Sequence, residues 1–424
     1  MAYLVDKIKE GITIHYIETP KFKTNLITIF LTIPLSREGV TKDTLLPAIL
    51  KNGTNNLKTQ EEINKVLEEM YGATFNCGID KTGDNHVIKF YLETLNDQFT
   101  LSDENLIQRA IGLILDIVFD PLVIDNKFNE EYVSMEKENI RKLINSKIDD
   151  KDRYALDRCI EEMYKDKPYG LYKYGYEEDL DGINSKNLYE YYKELISNAK
   201  IDMFISGDFK TDEIKTIIEK NGIIDKLEKR KPQNIINNEQ TEKKEKQQEK
   251  TLAESMDITQ GKLVLGLDID FYKENSKYAV ALYNVILGES ATSKLFQNVR
   301  EKASLAYSAR SNYLRQKNNI FIRCGIEIKN YNKALAIIKE QLEDMKTGKF
   351  TDEDIQSAKK YIVSGIEAVQ DEQDSEITYY FGQELSGKLT NFEEYIKNIN
   401  NVTKEQILEI ANSINVNTIY FLKN

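Results

Sequence analysis

The chain has 424 residues, 41% hydrophobic and 30% charged, which excludes disorder and exceeds one ordinary core, so two domains of about 200 residues each are expected. A formal net charge of −12 repels phosphate backbones and argues against a nucleic-acid role. The longest apolar runs, such as YAVALYNVIL at 278–287, fall short of the roughly 18 residues that span a bilayer, and MAYLVDKIKEG at the start lacks a leader's basic head and apolar stretch. A cytoplasmic protein with no membrane contact is therefore expected. Cys77, Cys159 and Cys324 are odd in number and far apart, which suits reduced, buried thiols better than a disulfide framework or a metal site.

In chain order, GITIHYIE at 11–18 reads as a strand. TQEEINKVLEEMYGATFNCGIDKTGDNHVIKFYLETLND opens with a Thr59-x-x-Glu62 capping box and an apolar helical face at Ile63, Val66, Leu67 and Met70, then turns into two strands joined by a polar loop. Residues 164–180, YKDKPYGLYKYGYEEDL, are rich in Tyr and Gly and suit a rim loop or simple packing. Leu188, Tyr191, Tyr192 and Leu195 repeat at helical spacing, and Ile201, Met203 and Ile205 alternate as in a strand. Residues 225–250, DKLEKRKPQNIINNEQTEKKEKQQEK, hold too few large apolar groups to offset their ordering entropy and read as a solvated linker.

The second half repeats the first. SKLFQNVREKASLAYSARSNYLRQKNNIFIRCGIEIKN again gives helix, strand, loop, strand, and placing Gly72 over Ser304 brings Phe75 onto Tyr307. The C-terminus closes with a Thr403-x-x-Gln406 capping box, Ile407, Ile410 and Ile414 on one face, and a strand. The expected fold is α+β: two homologous domains, each a mostly antiparallel sheet covered by helices, over 1–224 and 257–424, joined by a charged linker and lead-in at 225–256.

This layout, with GESATSKLFQNVREKASLAYSARS at 288–311, LLPAILKNGTNNLKTQEEINKVLEEMYGA and DDKDRYALDRCIEEMYKDKPYG, resembles the pitrilysin/insulinase family of zinc peptidases over essentially the whole chain. Active members of that family carry an inverted His-x-x-Glu-His on the first helix, two imidazoles holding zinc and a glutamate activating water. The corresponding residues are Thr44, Pro47 and Ala48, so the resemblance implies a non-enzyme with no metal and no cofactor. The family's further carboxylate ligand falls near Glu136 or Glu138, and a lone carboxylate holds zinc poorly. The two histidines, His15 and His86, lie in separate strand-like runs with no carboxylate or cysteine at ligand spacing, and read as surface or half-buried strand residues rather than a pair of ligands across the sheet.

By the same resemblance, Arg300 and Tyr307 correspond to the pair with which the family's C-terminal half contacts a peptide across a central chamber. Arginine offers a fixed fork of donors and tyrosine a hydroxyl on a rigid ring, both suited to peptide carbonyls. Taken singly, Tyr307 suits a cross-strand core aromatic and Arg300 a solvated helix-end cation. The family loop is usually richer in glycine, whereas Gly288–Ser293 keeps one.

The resemblance is nearest to the zinc-motif-lacking partner of a paired bacterial set associated with 5-aminopentanol modification of elongation factor P. It implies a heterodimer with a zinc-bearing homologue, or a homodimer when isolated, with a peptide as the shared ligand. A structural or chaperone-like subunit and an enzyme with a rebuilt metal site are the alternatives. Brief trypsin treatment should cut first within 225–250, where lysines are many and apolar anchors few, and leave two fragments of near half size that stay associated on gel filtration. Early cleavage elsewhere with this segment intact would refute the division.

Overall fold

The computed structural model describes residues 2–101, 104–227, 230–235, 248–270, 273 and 275–424; most of the Lys/Glu-rich run at 242–250, with the rest of 236–247, lies outside the described residues. The chain divides into two compact units, one of Met1–Ser146, Leu171–Ile236 and Gln373–Phe381, the other of Lys147–Gly170, Asn237–Glu372 and Gly382–Asn424. Each unit therefore contains a segment that belongs, by sequence, to the opposite half.

The strands in chain order are β1 Ala2–Lys9, β2 Ile12–Glu18, β3 Thr24–Pro34, β4 Thr74–Thr82, β5 Asn85–Leu95, β6 Lys200–Gly207, β7 Lys250–Ser255, β8 Gly261–Ile269, β9 Ala306–Leu314, β10 Asn319–Ile326 and β11 Ile414–Lys423. The first unit's sheet has the order β1-β2-β6-β3-β5-β4 and the second's the order β7-β11-β8-β10-β9. Apart from the added β1, the orders are the same, and among the described residues the only parallel pair in each is formed by the last strand of the half, β6 on β2 and β11 on β7. The duplication read from the sequence is thus a duplication of topology. Its proposed register holds too, since β4 starts at Thr74 and β9 at Ala306, two residues after Gly72 and Ser304, and both of those have positive φ, 74° and 50°.

Alternation gives each sheet two different faces. In the first unit, Ile14, Tyr16, Ile27, Ile29, Phe90 and Met203 pack with the helices Val40–Leu50, Leu106–Phe119 and Ser185–Asn198 into one core. The opposite face carries His15, Phe30 and Phe204, and the segment Gln373–Phe381 lies on it. Phe381 stacks on Phe30 at 3.8 Å between centroids and Tyr380 on Tyr3 at 4.4 Å, while Gln373 Nε2 donates to the backbone carbonyls of Thr24 and Ser206 at 3.2 and 3.1 Å. Burial of each of these two aromatic side chains contributes about 2 kcal/mol.

The second unit has the mirror of this arrangement. Leu263, Leu265, Ile320, Ile322, Ile419 and Phe421 face its main helical core, and Val264, Phe321, Tyr420 and Leu422 face the helix Lys151–Met163 through Ala155, Cys159, Ile160 and Met163. Within the stretch read as linker, Arg230 is nonetheless buried, donating to the carbonyls of Glu10, Ile196 and Ala199. Its anchor is a cation reaching for helix-end carbonyls, which hydropathy does not register. Cys77 is half-buried and free, Cys159 and Cys324 buried and free. Among the described residues no helix is long and apolar enough to cross a membrane.

Glu376, on the segment that covers the first sheet, is 2% exposed and its Oε1 has no hydrogen-bond partner among the described residues. Burial raises its carboxyl to about 7, with Lys21 offsetting part of the effect. Because the folded value lies above the unfolded one, the folded state holds the extra proton, and stability falls as pH rises from about 4.5 to about 7 and is level beyond. Glu376→Gln should therefore stabilise the protein by up to about 3 kcal/mol at pH 8 and change nothing at pH 4.5, as read from urea unfolding at the two pH values. Equal effects at both would refute the buried acid.

Candidate functional site

The helix Val40–Leu50 holds the positions where a metal motif is expected. Pro47 sits inside it, so the helix lacks one backbone donor at a cost of about 3 kcal/mol. Thr44 turns its hydroxyl onto the Val40 and Lys173 carbonyls at 3.0 and 3.2 Å. The Pro47 carbonyl accepts from the Cys77 thiol at 3.4 Å, and burial pushes that thiol up to about 11, so it is no thiolate donor.

Of the two carboxylates expected near the helix, Glu136 is the one that faces it. It is 3% exposed. Its Oε1 accepts from the Asn52 amide at 3.1 Å and lies 3.7 Å from the Lys51 ammonium, and its Oε2 accepts from Asn139 at 3.0 Å. Asn52 also donates to the Ala48 carbonyl at 2.6 Å. Glu138 instead pairs with Arg141 on the surface. Amides and an ammonium thus occupy the carboxylate's lone pairs, and Thr44, Pro47 and Ala48 supply no ligand. The residues do not fit zinc. Among the described residues no group of three or more His, Cys, Asp or Glu side chains is placed to hold a metal ion.

Both histidines correct the sequence reading. Each is fully buried, not at the surface, and each meets a carboxylate. His15 accepts from the Tyr3 hydroxyl at 2.8 Å and donates to Asp202 at 3.1 Å. His86 faces the Asp43 carboxylate at 2.9 Å and the Lys173 carbonyl at 2.9 Å, and Asp43 also accepts from Tyr191 at 2.6 Å. They stand on β2 and β5, with β6 and β3 between, so they do not share a site. The loop carrying Lys173 is held on the helix by a close approach: a Cβ at Gly175, whose φ is +78°, would lie 2.2 Å from the Thr41 hydroxyl. Residues 171–180 of the Tyr-rich stretch therefore cover the helix Val40–Leu50 of their own unit, while residues 164–170 belong to the second unit.

In the second unit, the helix Ser276–Asn284 continues as a π-helical turn, Val285–Glu289, and a second π-helical segment, Phe296–Lys302, leads to β9. Such wide turns concentrate at functional sites. Leu295 and Val299 anchor the second segment in the core, which turns Arg300 outward. Its guanidinium lies 4.5 Å over the Phe296 ring and its Nε 3.5 Å from Glu301. The single glycine of the loop, Gly288, answers to space: a Cβ there would lie 2.6 Å from Ser311 Oγ and 2.7 Å from its nitrogen.

Tyr307 is 83% exposed, which removes the core-aromatic reading. The pairing of β9 with β10 explains it. Gly325 pairs with Ser308 and Ile326 with Ala306, leaving Tyr307 as the extra residue of a β-bulge on an edge strand. Alternation from Ala309, Ser311 and Tyr313 would place position 307 on the inner face, and the bulge turns it out. Its counterpart Phe75 pairs regularly with Leu92 and packs against the first core. Both groups thus lie on one stretch of the second unit, and no hydrogen bond joins them among the described residues.

A family model described as "Peptidase M16 inactive domain" matches residues 182–362. The probable inactive metalloprotease YmfF of Bacillus subtilis (strain 168) is 34% identical over 427 residues, 100% of this chain and 99% of that protein. Among solved structures, a conserved protein from Enterococcus faecalis V583 superposes with a TM-score of 0.89 at 27% identity, covering 100% of this chain and 98% of the other. A protease from Helicobacter pylori does so at 0.81 and 16%, covering 100% of both. With the motif positions held by Thr44, Pro47 and Ala48, the protein is a catalytically dead metallopeptidase homologue. The chain belongs to the pitrilysin/insulinase (M16) family, as one of its zinc-motif-lacking members.

Metal analysis of protein prepared without a His-tag should find no stoichiometric zinc, and Glu136→Gln should leave the metal content unchanged. One zinc per chain, lost in that variant, would overturn the donor assignment.

Proposed function

We propose that this chain is the non-catalytic subunit of a heterodimeric pitrilysin-type processing peptidase, lending Arg300 and Tyr307 to a peptide that a zinc-bearing homologue cleaves in a chamber the chains enclose. The observation that carries this reading is the bared ring of Tyr307. A bulge on an edge strand that turns an aromatic into water gains nothing from packing, and bulges recur where a side chain must be aimed. Arg300, seven positions earlier, supplies charged donors from a π-helical turn, a combination suited to the carbonyls of an extended peptide. The membership of a paired set associated with elongation factor P modification, a cytoplasmic location and homodimer formation by the isolated chain belong to the same proposal.

One observation favours the alternative of a structural or chaperone-like subunit with no part in proteolysis. Arg300 is engaged by Phe296 and Glu301 on its own segment. The test uses the heterodimer with its zinc chain untouched. If the pair stabilises charge developing on the scissile carbonyl, Arg300→Ala or Tyr307→Phe should lower turnover by roughly 100-fold, with assembly unchanged by hydrodynamic size. An effect on substrate affinity alone would make the pair ordinary binding contacts. Full activity of the double substitution would leave a structural subunit.

A further inference from the structure

A cavity of about 860 Å³ opens in the second unit between the first π-helical turn, β9 and the helix Asp352–Val369, within the size range of small-ligand sites. Asn284 and Glu289 meet at one end of it, and Asn312, Ser357, Ser364 and the rim residue Lys360 are the other polar groups of the lining. Asn284, 1% exposed, donates its amide to Glu289 Oε2 at 2.6 Å, which fixes the amide's orientation and leaves Oδ1 buried without a partner among the described residues. An orphaned buried carbonyl of this kind calls for a donor. Glu289 stands at the mouth, within reach of solvent, and among the described residues has no cationic partner, the rim residue Lys360 included. The surrounding protein raises its carboxyl above the ordinary value, and Asn284 offsets only part of that. The walls are apolar and aromatic, from Tyr361, Tyr395, Ile362 and Ile366.

A carboxylate at the mouth with a buried carbonyl behind it, set among aromatic and aliphatic walls, selects a positively charged donor on an apolar stem. We propose that this cavity is a subsite for an alkylammonium group, presented by a lysine side chain of a bound peptide or by a free amine. The peptide source rests on the peptide-holding function above, and the measurement is independent of it, since it uses the full chain alone, with no partner subunit and no turnover.

Calorimetric titration would compare Nα-acetyl-lysine N-methylamide, its norleucine counterpart and butylammonium. The lysine derivative should bind about tenfold or more tighter than the norleucine one, and Glu289→Gln, nearly isosteric and at the surface, should abolish that preference. Tyr361→Ala should weaken the lysine derivative as well, through the lost aromatic wall. Butylammonium matching the lysine derivative would assign the subsite to free amines, and a tenfold deficit to peptide lysine, either result upholding the ammonium site. No saturable binding, equal affinity for norleucine, or a preference that survives Glu289→Gln would overturn the proposal, whatever the heterodimer does.

Discussion

Each sheet of this protein is completed in its middle by the strand that its half supplies last. β6 enters between β2 and β3, and β11 between β7 and β8. Ile12 thereby pairs with Ile201, and Lys250 with Thr418, contacts of very long sequence separation that each close a loop of most of a half. The remaining arrangement depends on this insertion. With an interior place taken by a late strand, the hairpins β4–β5 in one unit and β9–β10 in the other lie to one side of the sheet, and their first strands are edges. Tyr307 stands on such an edge.

The helix Val40–Leu50 is held in place without a metal. It packs through Leu45, Leu46, Ile49 and Leu50, so its hold on the sheet never relied on ligands. What needed replacement was a charge partner for Glu136, because a buried carboxylate left alone costs several kcal/mol. Lys51, Asn52 and Asn139 provide it. Glu136 thus ties the helix Glu130–Asn145 to the end of the helix Val40–Leu50.

Much of the fold was legible because it rests on periodicity and local capping. The Thr403–Gln406 box forms in both directions, and the Thr59 hydroxyl accepts from the Glu62 nitrogen while the Glu62 carboxylate reaches Lys58 instead. The register of the repeat followed from the repeated order of helix, strand, loop and strand, and Gly72 and Ser304, placed over each other, both take positive φ before their strands. What could not be read is pairing at a distance. His15 meets Asp202 187 positions away and His86 meets Asp43 43 positions away, so ligand spacing said nothing about their carboxylates. The bulge at Tyr307 was equally hidden, since it is a property of the Gly325–Ile326 pairing and not of β9 alone. The site residues were named by resemblance; the outward aim of Tyr307 came from the hydrogen-bond ladder and that of Arg300 from the anchoring of Leu295 and Val299.

The helix Lys151–Met163 covers the second unit's sheet and Gln373–Phe381 covers the first's, which is the geometry of domain swapping carried inside one molecule. A half produced alone would bare the sheet face its sister covers and offer a helix with nothing to cover. Two copies of one half could serve each other only at concentrations that favour association. Joining them in a single chain makes the exchange intramolecular, at an effective concentration set by the connecting segment and not by expression level. The duplication is therefore a thermodynamic device: it lets two incomplete layers rely on one another without having to find a mate.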